Sequence, residues 1–472
     1  MKTVLERYRR AWLLIAVALV LGIAACSGGG VRPSADGTPR NIIILYADGV
    51  APTQWEFGRY SSQLLRKQPF VTTDVVMREG TLGLLATWPA DAMVTDSAAS
   101  ATAMSTGFKT NNYMVGVTPD GKPVETLMEA AKKAGKRIGL VTTATVYDAS
   151  PAAFSVHAVN RGDAESIVNQ YLALAPDVLL GGGAEFFLPA GKGGKRKDGQ
   201  DVIAAFAARG YAIARNTGEL ARADAPRVLG LFANDDLGFE LGRDAAKEPS
   251  TADMARAALR ALARDNPNGF VLFVENENTD TAGHQNDAAA LMHALWAFDD
   301  AVKVALEFQR ANPDTLILVT GDHETGGFSP TYAQRDLSTL SSKNRFFAAD
   351  PSFAMLGGIT LPFAGVIEKA GKDPKPEVLD ALLAQHYPGF RLDPDLREAI
   401  VKRQPLERSQ TYIVQGALGR MVARQTAFYW ATTGHTSEPV AVGALGPGAR
   451  AFSGFQDNTE FGKALKRLLA TR

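Results

Sequence analysis

Residues 41–50, NIIILYADGV, decide the fold. The run is apolar and rich in branched side chains, and it has no polar residue at alternate positions. A strand with one wet face alternates apolar and polar, so this one is expected to be buried on both faces, as in a parallel sheet. It breaks at Asp48-Gly49, where a loop must begin. Three further segments have the same form: KRIGLVTTATVYDAS (136–150), GFVLFVENENTD (269–280) and DTLILVTGDHETGG (314–327). Helical stretches lie between them, among them 124–134 and 287–310, the latter with Leu291, Leu295, Phe298 and Val302 on one face. Strand and helix therefore alternate, which predicts an α/β chain of three-layer αβα form: a mostly parallel central sheet with helices on both faces. Ligands of such a sheet sit beyond the C-terminal ends of its strands.

The segment 329–425 spreads Pro, Lys and Asp more evenly and shows weak helical patterns at 376–386 and 394–403. It is expected to be an inserted cap region within a catalytic domain of 41–472. After it, EPVAVGAL reads as a strand and TEFGKALKRLLA as a closing helix.

The chain has 472 residues, 46% hydrophobic and 21% charged, with Lys+Arg and Asp+Glu both 50. A large core is possible, and neither bulk charge nor a basic-aromatic stripe favours nucleic acid as a partner. At the N-terminus, MKTVLERYRR is basic, and the apolar run AWLLIAVALVLGIAA is shorter than the roughly 20 residues of a membrane span. Residues 1–25 are accordingly expected to be a signal peptide, and the body of the protein to work outside the cytoplasm. Ile23-Ala24-Ala25-Cys26 resembles the lipobox of bacterial lipoproteins, and Cys26 is the only cysteine, without a disulfide partner. The resemblance implies lipid attachment at Cys26, with residues 26–40 a flexible tether to a bacterial membrane, in the periplasm or at the cell surface. An ordinary secretory signal is the alternative.

Acidic residues and histidines gather where the strands end. Asp48 follows IIILYA, Glu275 follows VLFV with Asp280 and His284 just beyond, Asp322 and His323 follow LILVTG, and His435 precedes EPVAV. One such Asp is ordinarily a turn former or cap; several converging ones suit Zn²⁺ or, where oxygen dominates, Mg²⁺. Asp280 and His284 are one turn apart if their segment is helical. In VTDSAASATAMSTG (94–107), Asp96 reads as a helix cap, and Ser97 then sits among free backbone N–H groups at the positive dipole end. A serine hydroxyl there can be activated by a coordinated metal, without a histidine base. Alone, the stretch reads equally as a plain capped helix.

DSAASATA resembles the signature of the alkaline phosphatase family. The other segments recur in that family's order: YADG, DSAASATA, DASPAAFSVHAVNR, VE(x4)D(x3)H, TGDHETGG and TGHTSEPVAV. The resemblance covers nearly all of the chain beyond residue 40 and implies hydrolysis of phosphate monoesters through a phosphoserine at Ser97. Position by position, it implies that Asp280, His284 and His435 hold one Zn²⁺ and that Asp322, His323 and Asp48 hold a second. Asp48, Glu275 and Ser150 would hold an ion that is usually Mg²⁺. Arg161 would grip two phosphate oxygens, and Asp148 would orient it. A homodimer is common in the family.

Two features depart from that pattern. Asn276, Glu277 and Asn278 stand where relatives have small or apolar residues, and Glu277 would share a face with Glu275 if the strand continued. Thr281 stands where relatives often carry Lys, His or Trp. Among neighbouring residues, His157 is expected in an apolar helix as a core residue, and Trp55 and Trp88 in core packing. A diesterase or sulfatase of the same superfamily is the nearest other enzyme, and a non-catalytic binding lipoprotein the reading from another class. Arg161 argues against the diesterase, since its two bonds need a terminal phosphoryl group. No C/S-x-P-x-R sulfatase motif accompanies Ser97.

Overall fold

A computed structural model describes residues 37–334, 345–371, 374–408 and 410–470. Ten strands form one sheet: β1 (Asn41–Ala47), β2 (Thr81–Ala86), β3 (Arg137–Thr145), β4 (Val178–Gly182), β5 (Ala212–Ala214), β6 (Val228–Leu231), β7 (Phe270–Asn276), β8 (Thr315–Thr320), β9 (Val440–Leu445) and β10 (Gly454–Asp457). Their order is β10-β2-β9-β8-β1-β7-β3-β4-β6-β5. All neighbours pair in parallel except at β9, which runs antiparallel to both β8 and β2. The apolar β1 lies in the interior between β7 and β8, as its unbroken hydrophobic run requires.

Side chains of β1 alternate between two cores. Ile42, Ile44 and Tyr46 pack with the helix α1 (Ser97–Thr106) and with the closing helix Asn458–Ala470. Ile43, Leu45 and Ala47 face the other way, into a cluster fed by Thr251–Ala263 and by α3 (Ala288–Ala311). The sheet is thus covered on both sides, and the fold is a three-layer αβα arrangement. The helices of 329–425 contribute Leu356, Phe363, Leu379 and Leu418 to the second cluster, so this segment is continuous with one helical layer.

Asp287 joins that segment to the core. Its Oδ1 accepts from the Ala289 and Ala290 amides at 3.1 and 3.0 Å, capping α3, and its Oδ2 accepts from the Phe363 amide at 2.7 Å. Asp287→Ala removes the cap and leaves a buried amide unpaired, an expected loss of about 2 kcal/mol. Urea unfolding at neutral pH checks this: a midpoint unchanged from wild type would show that the cap contributes nothing.

Candidate active site

The C-terminal ends of β1, β7 and β8 lie side by side, and the loops that leave them build one cluster. Asp48 follows β1. Gly49 behind it has φ +74, and a Cβ there would lie 2.8 Å from Asp280 Oδ1 and 2.9 Å from Thr325 Oγ1, so glycine allows the close approach of the two loops. The Gly49 amide donates to Asp322 Oδ1 at 3.2 Å. Glu275 is the penultimate residue of β7, fully buried, and Thr142 donates to its Oε2 at 2.5 Å.

β7 stops at Asn276. Glu277 already has helical angles (φ −80, ψ −25) and opens α2 (Asn278–His284). The strand does not continue, so Glu277 does not follow the alternation that would have placed it beside Glu275. Its Oε1 instead accepts from Thr281 at 2.6 Å. Asn276 and Asn278 turn outward: their Nδ2 groups donate to Glu240 Oε1 and to the Gly238 carbonyl, each at 3.1 Å.

On α2, Asp280 and His284 meet across one turn, Oδ2 to Nε2 3.1 Å. His435, brought in by a short pairing of 435–436 with 324–325, places its Nε2 3.1 Å from that of His284 and 3.7 Å from Asp280 Oδ1. Both imidazoles are oriented from behind, since His284 Nδ1 lies 2.7 Å from the Thr433 carbonyl and His435 Nδ1 2.8 Å from the Thr95 carbonyl. A carbonyl accepts only, so each Nδ1 carries the proton and each Nε2 lone pair faces inward. Burial opposes charge on His284, but the adjacent Asp280 carboxylate raises its pKa to about 9, so without a metal ion a proton occupies this position and a bound cation would take its place.

Next to this group, His323 Nε2 lies 3.2 Å from Asp322 Oδ2 and 3.5 Å from Asp48 Oδ1. Ligand atoms of Asp280, His284 and His435 all fall within 4.8 Å of one another, and so do those of Asp48, Asp322 and His323. Ser97 is the first residue of α1, after Asp96, whose side chain caps the Ala99 amide at 2.9 Å. Its Oγ is 3.1 Å from His323 Nε2. Ser100, one turn on, donates to the Asp322 carbonyl at 2.9 Å and so ties α1 to the Asp322-His323 loop.

Ser150 donates to Asp48 Oδ2 at 3.2 Å. Arg161 reaches Asp96 Oδ2 with one terminal nitrogen (3.2 Å) and Asp148 Oδ1 with the other (3.1 Å). Burial opposes its charge, but Asp148 and Asp96 outweigh that and hold the guanidinium firmly protonated.

Burial and neighbouring charges set the protonation of the cluster. Burial, reinforced by neighbouring acids, pushes Asp48 well above the usual carboxylate range, Asp322 to about 7 and Glu275 to about 8. Burial would raise Asp280 as well, but His284, His435 and His323 reverse the shift and hold it ionised. His323 is driven well below its ordinary value by burial and by His435. Asp48 Oδ1, Asp322 Oδ2 and Glu275 Oε1 are buried and accept no hydrogen bond among the described residues. Crowded carboxylates with orphaned oxygens beside inward imidazole lone pairs form an oxygen and nitrogen donor set that fits divalent cations.

All the site residues named from the sequence within the described chain converge here; Cys26 lies outside the described residues. Sequence reasoning missed Thr142, Thr325 and Thr279. Thr325 donates to Asp280 and touches His323, and Thr279 donates to the Asp48 carbonyl. Thr279 and Thr325 adjoin Asp280 and Glu324 in the sequence, but Thr142 lies within a strand and carries no such signal. Two other expectations are corrected. His157 lies past the end of the short helix Ala149–Ala153, half-buried, with Nε2 3.1 Å from Glu129 Oε1. Trp88 is 50% exposed with the Lys109 ammonium 4.2 Å above its ring, whereas Trp55 is buried against Phe70 and Phe298.

Comparison with known proteins agrees with this geometry. A family model described as alkaline phosphatase matches residues 39–471. The chain is 31% identical to the repressible alkaline phosphatase of Saccharomyces cerevisiae, over 96% of this chain and 86% of that protein. It is also 31% identical to alkaline phosphatase 3 of Bacillus subtilis, over 98% of each. The crystal structure of Thermus thermophilus alkaline phosphatase superposes with a TM-score of 0.84 at 31% identity, covering 94% of this chain and 95% of that one.

Proposed function

The chain belongs to the alkaline phosphatase family, and from that premise we propose that Ser97 and the two acid-imidazole groups are the reaction centre of its phosphate monoester hydrolysis. The observation that carries the assignment is the placement of the Ser97 hydroxyl, at a helix N-terminus and 3.1 Å from His323 Nε2, against two preformed sets of metal-binding atoms. Asp280, His284 and His435 would hold one Zn²⁺, Asp48, Asp322 and His323 a second, and Asp48, Glu275 and Ser150 a Mg²⁺. Bound, such ions lower the pKa of a nearby hydroxyl and neutralise charge that develops in phosphoryl transfer.

The chain's own groups do the rest. Ser97 Oγ bonds to phosphorus as the ester P–O bond breaks and the alcohol leaves. Water then cleaves the phosphoserine, which restores the hydroxyl and releases inorganic phosphate. The N-terminal amides of α1 face the anion, the small side chains after Ser97 leave room for it, and Arg161 presents two donors to two phosphoryl oxygens, held in place by Asp96 and Asp148. The same fork favours monoesters, since a diester has only one free pair of oxygens, which it must share with the metal ions.

The test compares 4-nitrophenyl phosphate with bis(4-nitrophenyl) phosphate. The monoester is expected to be the better substrate, and Arg161→Ala to lower its kcat/KM by about 10²-fold while changing the diester far less, because charged hydrogen bonds of this kind contribute about 1.5–3 kcal/mol each. Faster diester turnover by the wild type would overturn the assignment.

Export by the signal peptide and a lipid anchor at Cys26, holding the enzyme at a bacterial membrane, belong to the same reading. No helix among the described residues is long and apolar enough to cross a membrane. A homodimer is also proposed, and exposed Leu84 and Phe455 on adjacent strands, with Trp88 and Met93 beside them, support it as a surface a second copy can cover. The segment 329–425 is proposed as the cap bordering the site.

A further inference from the structure

Among the described residues of the inserted segment, Tyr412 comes up to the site. Tyr412, just ahead of the helix Ile413–Thr426, sets its ring 6.1 Å from that of His284, centre to centre, and tilted by 43°. It is 36% exposed, so one part of the ring rests against the metal-binding group and the rest is open to solvent. The backbone that carries it is fastened. The Thr411 amide donates to Thr433 Oγ1 at 3.2 Å, and the Tyr412 carbonyl accepts from the Gly416 amide at 2.8 Å. Thr433 also supplies the carbonyl that orients His284, so the loop bearing the ring and the imidazole share one anchor.

The other imidazole of the group is held from behind. His435 leans on the Thr95 carbonyl, and the preceding Val94 is 37% exposed, its carbonyl held by Asn112 Nδ2 at 3.1 Å. The Asp280–His284–His435 group therefore has an exposed aromatic ring beside His284, on fastened backbone. Ser97 Oγ contacts His323 whereas the Tyr412 ring lies beside His284, and in-line displacement puts the attacking and leaving oxygens on opposite sides of phosphorus. The leaving oxygen and the group it carries thus point toward His284.

We propose that Tyr412 is a specificity-determining residue whose ring packs against the leaving group of the ester and favours flat aromatic alcohols over small polar ones. This rests on the assignment of Ser97 and the metal-binding groups above. The ring is anchored before substrate arrives, so little ordering is lost on contact, which is how tyrosine serves recognition surfaces. The phosphoryl end does not touch it, so selectivity at Tyr412 is separate from binding of phosphate itself.

The experiment measures kcat/KM for 4-nitrophenyl phosphate and for glycerol 2-phosphate in the wild type, Tyr412→Ala and Tyr412→Phe, together with inhibition by inorganic phosphate. Tyr412→Ala is expected to lower the value for the aryl ester about five- to tenfold, the worth of one aromatic pair. The glycerol ester and the phosphate inhibition constant should change less than about twofold, since neither presents a ring to the site. Tyr412→Phe keeps the ring and should match the wild type on both esters. Equal losses on both esters in Tyr412→Ala, or no loss on either, would overturn the proposal. A wild type that cleaves neither ester would instead sink the assignment on which it rests, and Tyr412 with it.

Discussion

Ser97→Ala is expected to lose about 10³- to 10⁵-fold in kcat for phosphate monoesters, the range in which removal of a covalent nucleophile falls, and to keep its fold. The fold should survive because the change is small and local. Ser97 is 4% exposed, among the described residues its hydroxyl hydrogen-bonds only with His323 Nε2, and Asp96 caps α1 without it. The loss should be incomplete, because the ions, the amides of α1 and Arg161 still bind and polarise the ester, and water can occupy the space of the missing hydroxyl. Two measurements check this. Steady-state hydrolysis of 4-nitrophenyl phosphate gives the loss, and acid quenching with labelled phosphate should trap phosphoserine in the wild type and nothing in the variant. A variant with a tenth of wild-type activity would remove Ser97 from the reaction.

Much of this site was legible in the sequence, for a physical reason. An unbroken apolar run such as that of β1 can only be an interior strand, and the residue that ends it must lie at the edge where ligands bind. Asp48, Glu275, Asp322 and His323 announce themselves in that way. Asp280 and His284 could be paired because a helix brings i and i+4 together, and α2 does so. His435 was harder, because β9 enters the sheet antiparallel between β8 and β2, a long-range pairing with no local signal. Glu277 was ambiguous because alternation holds only while the strand lasts, and nothing in VENENTD marks the turn into α2 at that residue. The threonines that satisfy Glu275 and Asp280 look like ordinary strand and loop residues. Tyr412 lies 128 residues from its neighbour His284, in a segment whose composition shows no chemistry, and only the tertiary fold brings the two together.

Removing the metal ions should abolish activity and lower the melting temperature, with the stability gap between the metal-loaded and metal-free protein widening from pH 6 to pH 9. Each ion that binds only the folded chain stabilises it by RT ln(1 + [L]/Kd), about 4 kcal/mol at a thousandfold excess over Kd, so two or three ions form a large share of the total. The pH dependence comes from the carboxylates left behind and from His284, where burial opposes the charge but Asp280 raises the pKa to about 9. With the ions gone, the folded-state pKa of Asp322 is about 7 and that of Glu275 about 8, both above the ordinary carboxylate range, with Asp48 shifted the same way. Between that range and about pH 9, the folded chain holds protons that the unfolded chain has lost, so stability falls as pH rises through this window. Asp280 does not add to this trend, because its histidine neighbours keep it ionised throughout. Bound cations remove the dependence by taking the place of the missing protons. Melting curves of chelator-treated protein at pH 6, 7, 8 and 9, with Zn²⁺ and Mg²⁺ added back, decide the matter. A metal-free protein that melts with the loaded one, or grows more stable toward pH 9, would mean that these buried acids are not held together by metal ions.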